Sequence, residues 1–579
     1  MSEDRQAAHD QQSPPMQAQD PTSSRRRRAG ARSPDRRRFL LGAGGLSAAA
    51  LIGAAGGWSP LAQAALPAPA PSSSTRANGS SSWLATRRAR ALKLRIDTAR
   101  RQLAGTFPQR RTNGDEDAYP AGLANFTKTL PHNRLGEVDP DAYRTLLRAL
   151  NSGKPADFDR LSLAGGTRLA NPQAAFAFEL EGADPWGLAV APPPRLASEE
   201  FAGEMTECYW LALARDVPYT RYGEEPVTAA AVTDLRRLAG YRDVDARTLF
   251  RSDLPGVMPG PYISQFLLQP YTFGGTPIQQ RFRTTMPARD HLTSYEGWLD
   301  VQNGRPASSQ AWFDPLPRYI RNGRDLGEWA HRDFSYQGPL VACLILLDHL
   351  AQQGRDVLDD NNPYKASATQ SGVVTFGAPH VLDLVARVAN HAMKAAWYHK
   401  WLVHRRFRPE EAAGRIHNQM TGAADYPLHP KLTDSAALAA LYSQSGTYLC
   451  PQAYPEGCPA HPAYPGATAT IGGAGVSVLK AFFNEAWVLP NPVVPSDDGL
   501  SLQPWKGEPL TVGGELNKLA FNMAFGRDTA GVHFRRDEIE GIVLGELSAF
   551  SVMADVNATY NEGFDGFRLT SFDGTPTTI

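Results

Sequence analysis

The chain has 579 residues, 42% of them hydrophobic, with 59 basic side chains against 59 acidic ones. That length allows one very large domain or two to four ordinary ones, and the charge balance excludes a polycationic nucleic-acid binder and a charge-expanded disordered chain. Four cysteines without a C-x-x-C spacing exclude a disulfide scaffold and give no zinc motif, which leaves a soluble globular enzyme.

In chain order, residues 1–64 read as an export signal. Basic runs at Arg25–Arg28 and Arg36–Arg38 precede Phe39-Leu40. An apolar Gly/Ala-rich stretch then runs from Leu41 to Ala55, and Ala62-Gln63-Ala64 gives a small-residue cleavage site. Paired arginines before Phe-Leu point to the twin-arginine route and an extracellular or cell-surface destination, or the cytoplasm where the signal is not used. The apolar stretch is too short and glycine-rich for a membrane span. Residues 65–82, rich in Pro, Ala and Ser, predict a linker, and residues 83–579 a single large α-helical domain.

Helical patterns follow at Thr86–Gln102, at Asp139–Leu150 behind a Glu-Val-Asp-Pro start signal, at Glu199–Ala214 and at Thr228–Leu238. Strand-like alternation is sparse and confined to places such as Ala175–Leu180. The apolar periodicity strengthens in the second half, over Leu340–Leu350, Val373–Val403, Thr468–Trp487, Leu516–Phe525 and Arg536–Ala554. No 20–50-residue repeat is visible, so solenoids and propellers are excluded. The 51 glycines and 46 prolines predict long ordered loops between the helices. The expected fold class is mainly α, a helical-bundle core with long loops and an active-site half at about residues 372–555.

Three segments of that half carry chemistry. His399-Lys400-Trp401-Leu402-Val403-His404-Arg405-Arg406-Phe407-Arg408-Pro409 places cations beside a helix that Pro409 should end. His461-Pro462-Ala463-Tyr464-Pro465-Gly466-Ala467-Thr468 runs into a Gly-rich helix, an entry that can present backbone N–H groups to an anion. Gly526-Arg527-Asp528-Thr529-Ala530-Gly531-Val532-His533-Phe534-Arg535-Arg536-Asp537 sets Asp537 one helical turn beyond His533, where a carboxylate can hold an imidazole tautomer. Singly, each is equally compatible with an ordinary helix end, helix entry or structural histidine.

Together, K-x7-R-P, a His-Pro-x-Tyr-Pro turn and R-x5-H-x3-D resemble the vanadium-dependent haloperoxidases, in their algal bromoperoxidase and bacterial branch. Pro131-His132-Asn133-x-Leu135-Gly136-Glu137-Val138-Asp139 and Gly323-Arg324-Asp325-Leu326 resemble further segments of bacterial members. The resemblance covers roughly residues 84–570. It implies the helical-bundle fold shared with type 2 phosphatidic acid phosphatases, a cradle for vanadate at Lys400, Arg408 and Arg527, and an axial ligand at His533. It also implies a homodimer, with no nucleic-acid or membrane partner.

The middle motif departs from the family's P-S-G-H, because this chain has Pro465-Gly466-Ala467-Thr468. The serine hydroxyl is gone, the glycine has gained a Cβ, and the proton-handling histidine is a threonine, which is no acid or base near neutral pH. The chain looks closest to a group of bacterial homologues from naphthoquinone meroterpenoid (napyradiomycin-type) biosynthesis. Some of these need no vanadate and shift a prenyl group between adjacent ring carbons by an α-hydroxyketone rearrangement. That resemblance implies a cofactor-independent isomerase acting on a small prenylated aromatic molecule, with a phosphate or other oxyanion as a further possible occupant of the site.

In that reading, His533, oriented by Asp537, takes the hydroxyl proton while Lys400, with Arg408 or Arg527, stabilises the growing alkoxide. The roles of Lys400 and His533 can also be exchanged. Trp401, His404, His461, Tyr464 and Phe534 are the expected substrate-lining residues. The alternatives are a vanadium-dependent chloro- or bromoperoxidase with an altered vanadate loop, and an inactive binding homologue. Cys450 and Cys458 are close enough in sequence to bridge, whereas Cys208 and Cys343 sit in helical patterns as buried thiols.

Overall fold

The computed structural model describes residues 81–105, 108 and 111–579. The export signal, and the linker up to residue 80, lie outside the described residues. The chain divides into two units, Met1–Arg87 and Arg88–Ile579. Helix α1 (Ser81–Ala104) starts two residues before the expected domain boundary.

Eleven further long helices organise the second unit. Asp139 caps α2 (Pro140–Ser152), its carboxylate accepting from Asp141 N and Ala142 N at 2.9 Å each, and Gly153 at φ 63° ends it. Then come α3 (Glu199–Leu213), α4 (Pro226–Leu235), α5 (Gly323–Arg332) and α6 (Gln337–Gln353). The last six are α7 (Ala378–Tyr398), α8 (Pro409–Thr421), α9 (Ala436–Ser445), α10 (Ala467–Phe482), α11 (Val512–Thr529) and α12 (Arg535–Asn557). The sheet content of the described residues is three short antiparallel hairpins, at 271–278, 493–504 and 568–578. Among these residues no single helix is long and apolar enough to cross a membrane.

Two expectations fail locally. Ala175–Leu180 is not a strand: a 3₁₀ turn covers Pro172–Phe176, and Phe178 and Leu180 remain exposed, so the alternation buries nothing. The run Val373–Val403 is not one helix. Gly377 and Pro379 delay its start to Ala378, and beyond Tyr398 the backbone widens into a π-helical turn, His399–His404. Arg405, at φ 44°, then reverses the chain, and Pro409 opens α8 instead of closing the helix before it.

Helix α10 is the axis of the bundle. Every residue of it is buried except Thr468, and it packs against α7, α11 and α12. Its composition is mostly Ala, Gly, Val and Ile, as a helix surrounded by others requires, and its one charged residue, Lys480, donates to Asn517 at 3.2 Å. Gly473 and Gly545 let α10 and α12 approach closely. A Cβ on Gly545 would fall on the Thr470 carbonyl, and one on Gly473 on that of Ile542. A main core joins these helices to α5 and α6, and a second groups α3, α4, α8 and α9.

This packing makes a prediction about stability. Gly545→Ala should lower the denaturation free energy by about 1–3 kcal/mol, because backbone cannot yield as a side-chain tip can. Gly223→Ala, where a Cβ meets open space, should leave the midpoint of a urea or thermal melt almost unchanged.

Candidate active site

The three segments converge at the N-terminal end of α10. The π-helical turn after α7 carries Lys400, the N-cap of α8 is Arg408, and the loop before α10 carries His461 to Gly466. Arg527 lies in the last turn of α11. His533 precedes α12, whose N-cap is Phe534, so Asp537 occupies the third helical position. Glu411 pins the entry to α8, accepting from Arg408 N at 3.1 Å and from Thr127 N and Lys128 N at 2.7 and 3.1 Å.

Asp537 joins the segments. One carboxylate oxygen accepts from His533 Nδ1 at 2.9 Å and Phe534 N at 3.0 Å, and the other from Arg406 at 2.6 Å. Its backbone carbonyl accepts from Gly466 N at 2.7 Å. Arg406 reaches on to Glu204 at 2.7 Å and lies over the Phe534 ring at 4.1 Å. Burial alone would raise the Asp537 carboxyl, but Arg406 and the His533 hydrogen bond outweigh it and hold the group ionised. An acceptor-only carboxylate fixes the proton on His533 Nδ1, leaving Nε2 as the lone pair. Burial, and then the positive charge of Arg408, keeps His533 well below the usual histidine range, so it is neutral at pH 7.

Lys400 is fully buried, and its Nζ donates to the carbonyls of Pro462 at 2.9 Å and Ala463 at 2.5 Å. Arg408 donates from Nε to the His461 carbonyl at 3.0 Å, from Nη1 to Val532 at 2.9 Å and from Nη2 to His461 Nδ1 at 2.9 Å. Both cations therefore stitch the 461–466 loop to the bundle. Arg527 pairs with Asp333 at 2.8 Å. Burial, then Arg408, pushes the Lys400 ammonium well below the ordinary lysine range.

A cavity of about 320 Å³ opens beside these groups. Its reactive wall includes His533, Arg527, His461 and Thr468, and its apolar wall Trp397, Met393 and Ile471. Trp397 and His461 lie against each other with ring centroids 4.9 Å apart. Lys400 and Arg408 are not on this wall. A larger cleft of about 1020 Å³ lies on the far side of the Glu204–Arg406 pair, around Tyr241 and Arg535. His533 faces the smaller cavity, which is therefore assigned as the site.

Of the five expected lining residues, only His461 lines the cavity. Trp401 is fully buried, edge-on to Phe126 at 5.8 Å, where it packs the inner face of α2. Phe534 is buried between Phe201 and Phe407. His404 stacks on His399, and Tyr464 meets His404 edge-on while its hydroxyl donates to the Ala191 carbonyl. All four are core aromatics: the π-helical turn places Trp401 and His404 in the bundle, and Tyr464 and Phe534 are buried at the entries to α10 and α12. Cys450 and Cys458 are separate buried thiols, like Cys208 and Cys343. The sequence reading missed Asp333, His331, Tyr454 and Glu456 on the cavity wall and Glu538 behind it.

Glu538 decides whether a vanadate would fit. Where the family has its serine, a Cβ on Gly466 would lie 2.5 Å from Glu538 Oε2. The Glu538 carboxyl group thus occupies space that a Cβ at position 466 would need. Its Oε1 is 3.6 Å from His533 Nδ1, and among the described residues neither carboxyl oxygen has a hydrogen-bond partner. Burial, then the Asp537 charge, pushes Glu538 well above the normal carboxyl range, against Arg527, Lys400 and Arg408. With a carboxyl group against the cradle, no serine hydroxyl and Thr468 in place of an imidazole, the residues present do not fit a bound vanadate.

Comparison with known proteins places the fold. No family model matches the chain. It is 35% identical over 505 residues to the vanadium-dependent bromoperoxidase of Ascophyllum nodosum, covering 82% of this chain and 89% of that protein. It is 32% identical to the vanadium-dependent bromoperoxidase of Corallina officinalis, covering 83% and 96%. The homohexameric structure of the second vanadate-dependent bromoperoxidase of Ascophyllum nodosum superposes with a TM-score of 0.81 at 29% identity, covering 90% of this chain and 95% of that one. The identity to these relatives over most of both chains and the shared helical architecture agree, and this chain belongs to the vanadium-dependent haloperoxidase family.

Proposed function

We propose that this member of the family is a cofactor-independent isomerase. Its reaction is an α-hydroxyketone rearrangement, a 1,2-shift of a prenyl group on a naphthalenone of napyradiomycin-type meroterpenoid biosynthesis. The observation that carries this reading is a neutral, Asp537-oriented imidazole on a largely apolar cavity, with Gly466 and Thr468 standing where the resembling motif has its serine and histidine. Such a site suits proton transfer and charge stabilisation without a redox partner.

In the proposed reaction, His533 Nε2 removes the proton of the α-hydroxyl. The electron pair of that O–H bond forms the new carbonyl, the prenyl group moves with its bonding pair to the neighbouring carbonyl carbon, and that oxygen becomes an alkoxide that is then protonated. No electrons leave or enter the substrate. Arg527, on the cavity wall, stabilises the alkoxide, while Lys400 and Arg408 hold the loop through its carbonyls. Trp397 and His461, tilted 40° to each other, give the cavity aromatic surface for a bicyclic ring, and 320 Å³ lies at the lower end of small-ligand pocket volumes.

A second reading, a vanadium-dependent bromoperoxidase, is favoured by the names of the relatives. The two separate in one assay. The purified chain should convert a prenylated α-hydroxyketone naphthalenone to an isomer of equal mass without halide or peroxide. It should not brominate a 1,3-diketone when supplied with vanadate, peroxide and bromide; the reverse pattern would make it a bromoperoxidase.

Two variant predictions follow from the residue roles. His533→Ala should lower kcat by about 10²–10⁴, the worth of a general base, and Arg527→Ala by about 10²–10³. Because His533 is depressed below 6.5, its base form persists as pH falls, and kcat/KM should stay level from pH 8 to below pH 6.5. A fall already complete at pH 6.5 would contradict the assignment.

A further inference from the structure

His331, at the end of α5, lines the same cavity as His533. Its Nε2 lies 2.7 Å from Glu456 Oε1, and its Nδ1 lies 3.5 Å from Glu328 Oε2. Nε2 is hydrogen-bonded to Glu456, while Nδ1 makes no hydrogen bond and meets Glu328 only as a nearby charge; two carboxylates beside one imidazole favour its cation. The ring stacks on Tyr454 with centroids 3.8 Å apart, and Tyr454 is fixed by its hydroxyl donating to the Gly327 carbonyl at 2.7 Å. An aromatic face beneath the ring adds to the stability of the charge.

The other charged groups around this pair are accounted for. Arg332 donates to the second oxygen of Glu328 at 2.8 Å, and Lys128 donates to the Glu456 backbone carbonyl at 2.9 Å. Asp333 is engaged by Arg527. Burial opposes a charge on His331, but Glu328 and Glu456 outweigh it and lift the imidazole to about 9. The Glu456 side chain is 58% exposed and that of His331 23%, so the pair reaches from solvent to the cavity wall.

We propose that His331 is the general acid of this cavity, delivering its Nε2 proton to an oxyanion that forms on a bound ketone, with Glu456 as the positioning residue that holds that proton in place. This rests on the isomerase reading for the identity of the ketone. The hydroxyl proton goes to His533, the proton from His331 goes to the alkoxide, and both histidines return to their starting states by exchange with water, so the cycle closes without a net proton. Glu456 turns outward as the substrate oxygen takes its place on Nε2–H.

A stable anion tests the site apart from turnover. The probe is 2-hydroxy-1,4-naphthoquinone, ionised at neutral pH, titrated against the full chain by calorimetry. The wild type should bind it, with affinity falling as pH rises through about 9. His331→Gln should bind about tenfold or more weakly, the loss of one hydrogen bond to a charged group, and should lack that pH dependence. Glu456→Gln should move the fall to lower pH. Equal binding by wild type and His331→Gln, or no binding by the wild type, overturns the proposal. Tight, His331-dependent binding with no conversion of an α-hydroxyketone would sink the isomerase reading and leave His331 in place. Conversion that persists in His331→Gln with the wild-type pH profile would do the opposite.

Discussion

The buried carboxylate of Asp537 is the contact on which the site depends. It holds His533 in one tautomer, receives Arg406, and through its backbone carbonyl anchors the first residue of the α10 entry. One residue thereby fixes the three chain segments that supply the imidazole, the cations and the loop. Because Arg406 compensates its charge and His533 donates a hydrogen bond to it, Asp537 stays ionised in a place where an isolated carboxylate would take up a proton. The His533 lone pair is then available without any titration near neutral pH.

Around that fixed centre the charged groups are engaged by the protein itself. Lys400 and Arg408 spend their donors on loop carbonyls, and Arg527 on Asp333. Glu538 and Asp528 both keep carboxyl oxygens without hydrogen-bond partners among the described residues, and burial raises each well above its usual range. A buried, protonated carboxyl group beside Gly466 costs less than an ionised one, and it takes the space that a serine would need. Gly466 and the Glu538 carboxyl therefore fit one another in packing and charge.

Much of this was legible in the sequence, for identifiable reasons. Helices such as α2, α3, α10 and α12 follow from apolar periodicity and start signals, because the residues that bury a face are also the residues that recur along it. The His533–Asp537 pair was legible from its spacing, but it forms at a helix start and not along a turn, with Asp537 reaching back past the N-cap Phe534 to His533. What the sequence hid is what depends on tertiary contact. The π-helical turn at His399–His404 rotates Trp401 and His404 into the core, and nothing in their local pattern signals that. His331 and Glu456 are 125 residues apart and meet only because α5 and the 450–459 loop fold against one cavity. Ala175–Leu180 alternates like a strand but has no partner to pair with.

The proposed isomerase activity rests on a site whose residues do not fit a bound vanadate. Its most direct test is the vanadium content of the purified chain after equilibration with excess orthovanadate and desalting. The wild type should retain none, and so should a Gly466→Ser, Ala467→Gly, Thr468→His triple variant that keeps Glu538. The same triple variant with Glu538→Ala should retain vanadium. One vanadium per chain in the wild type would contradict the account.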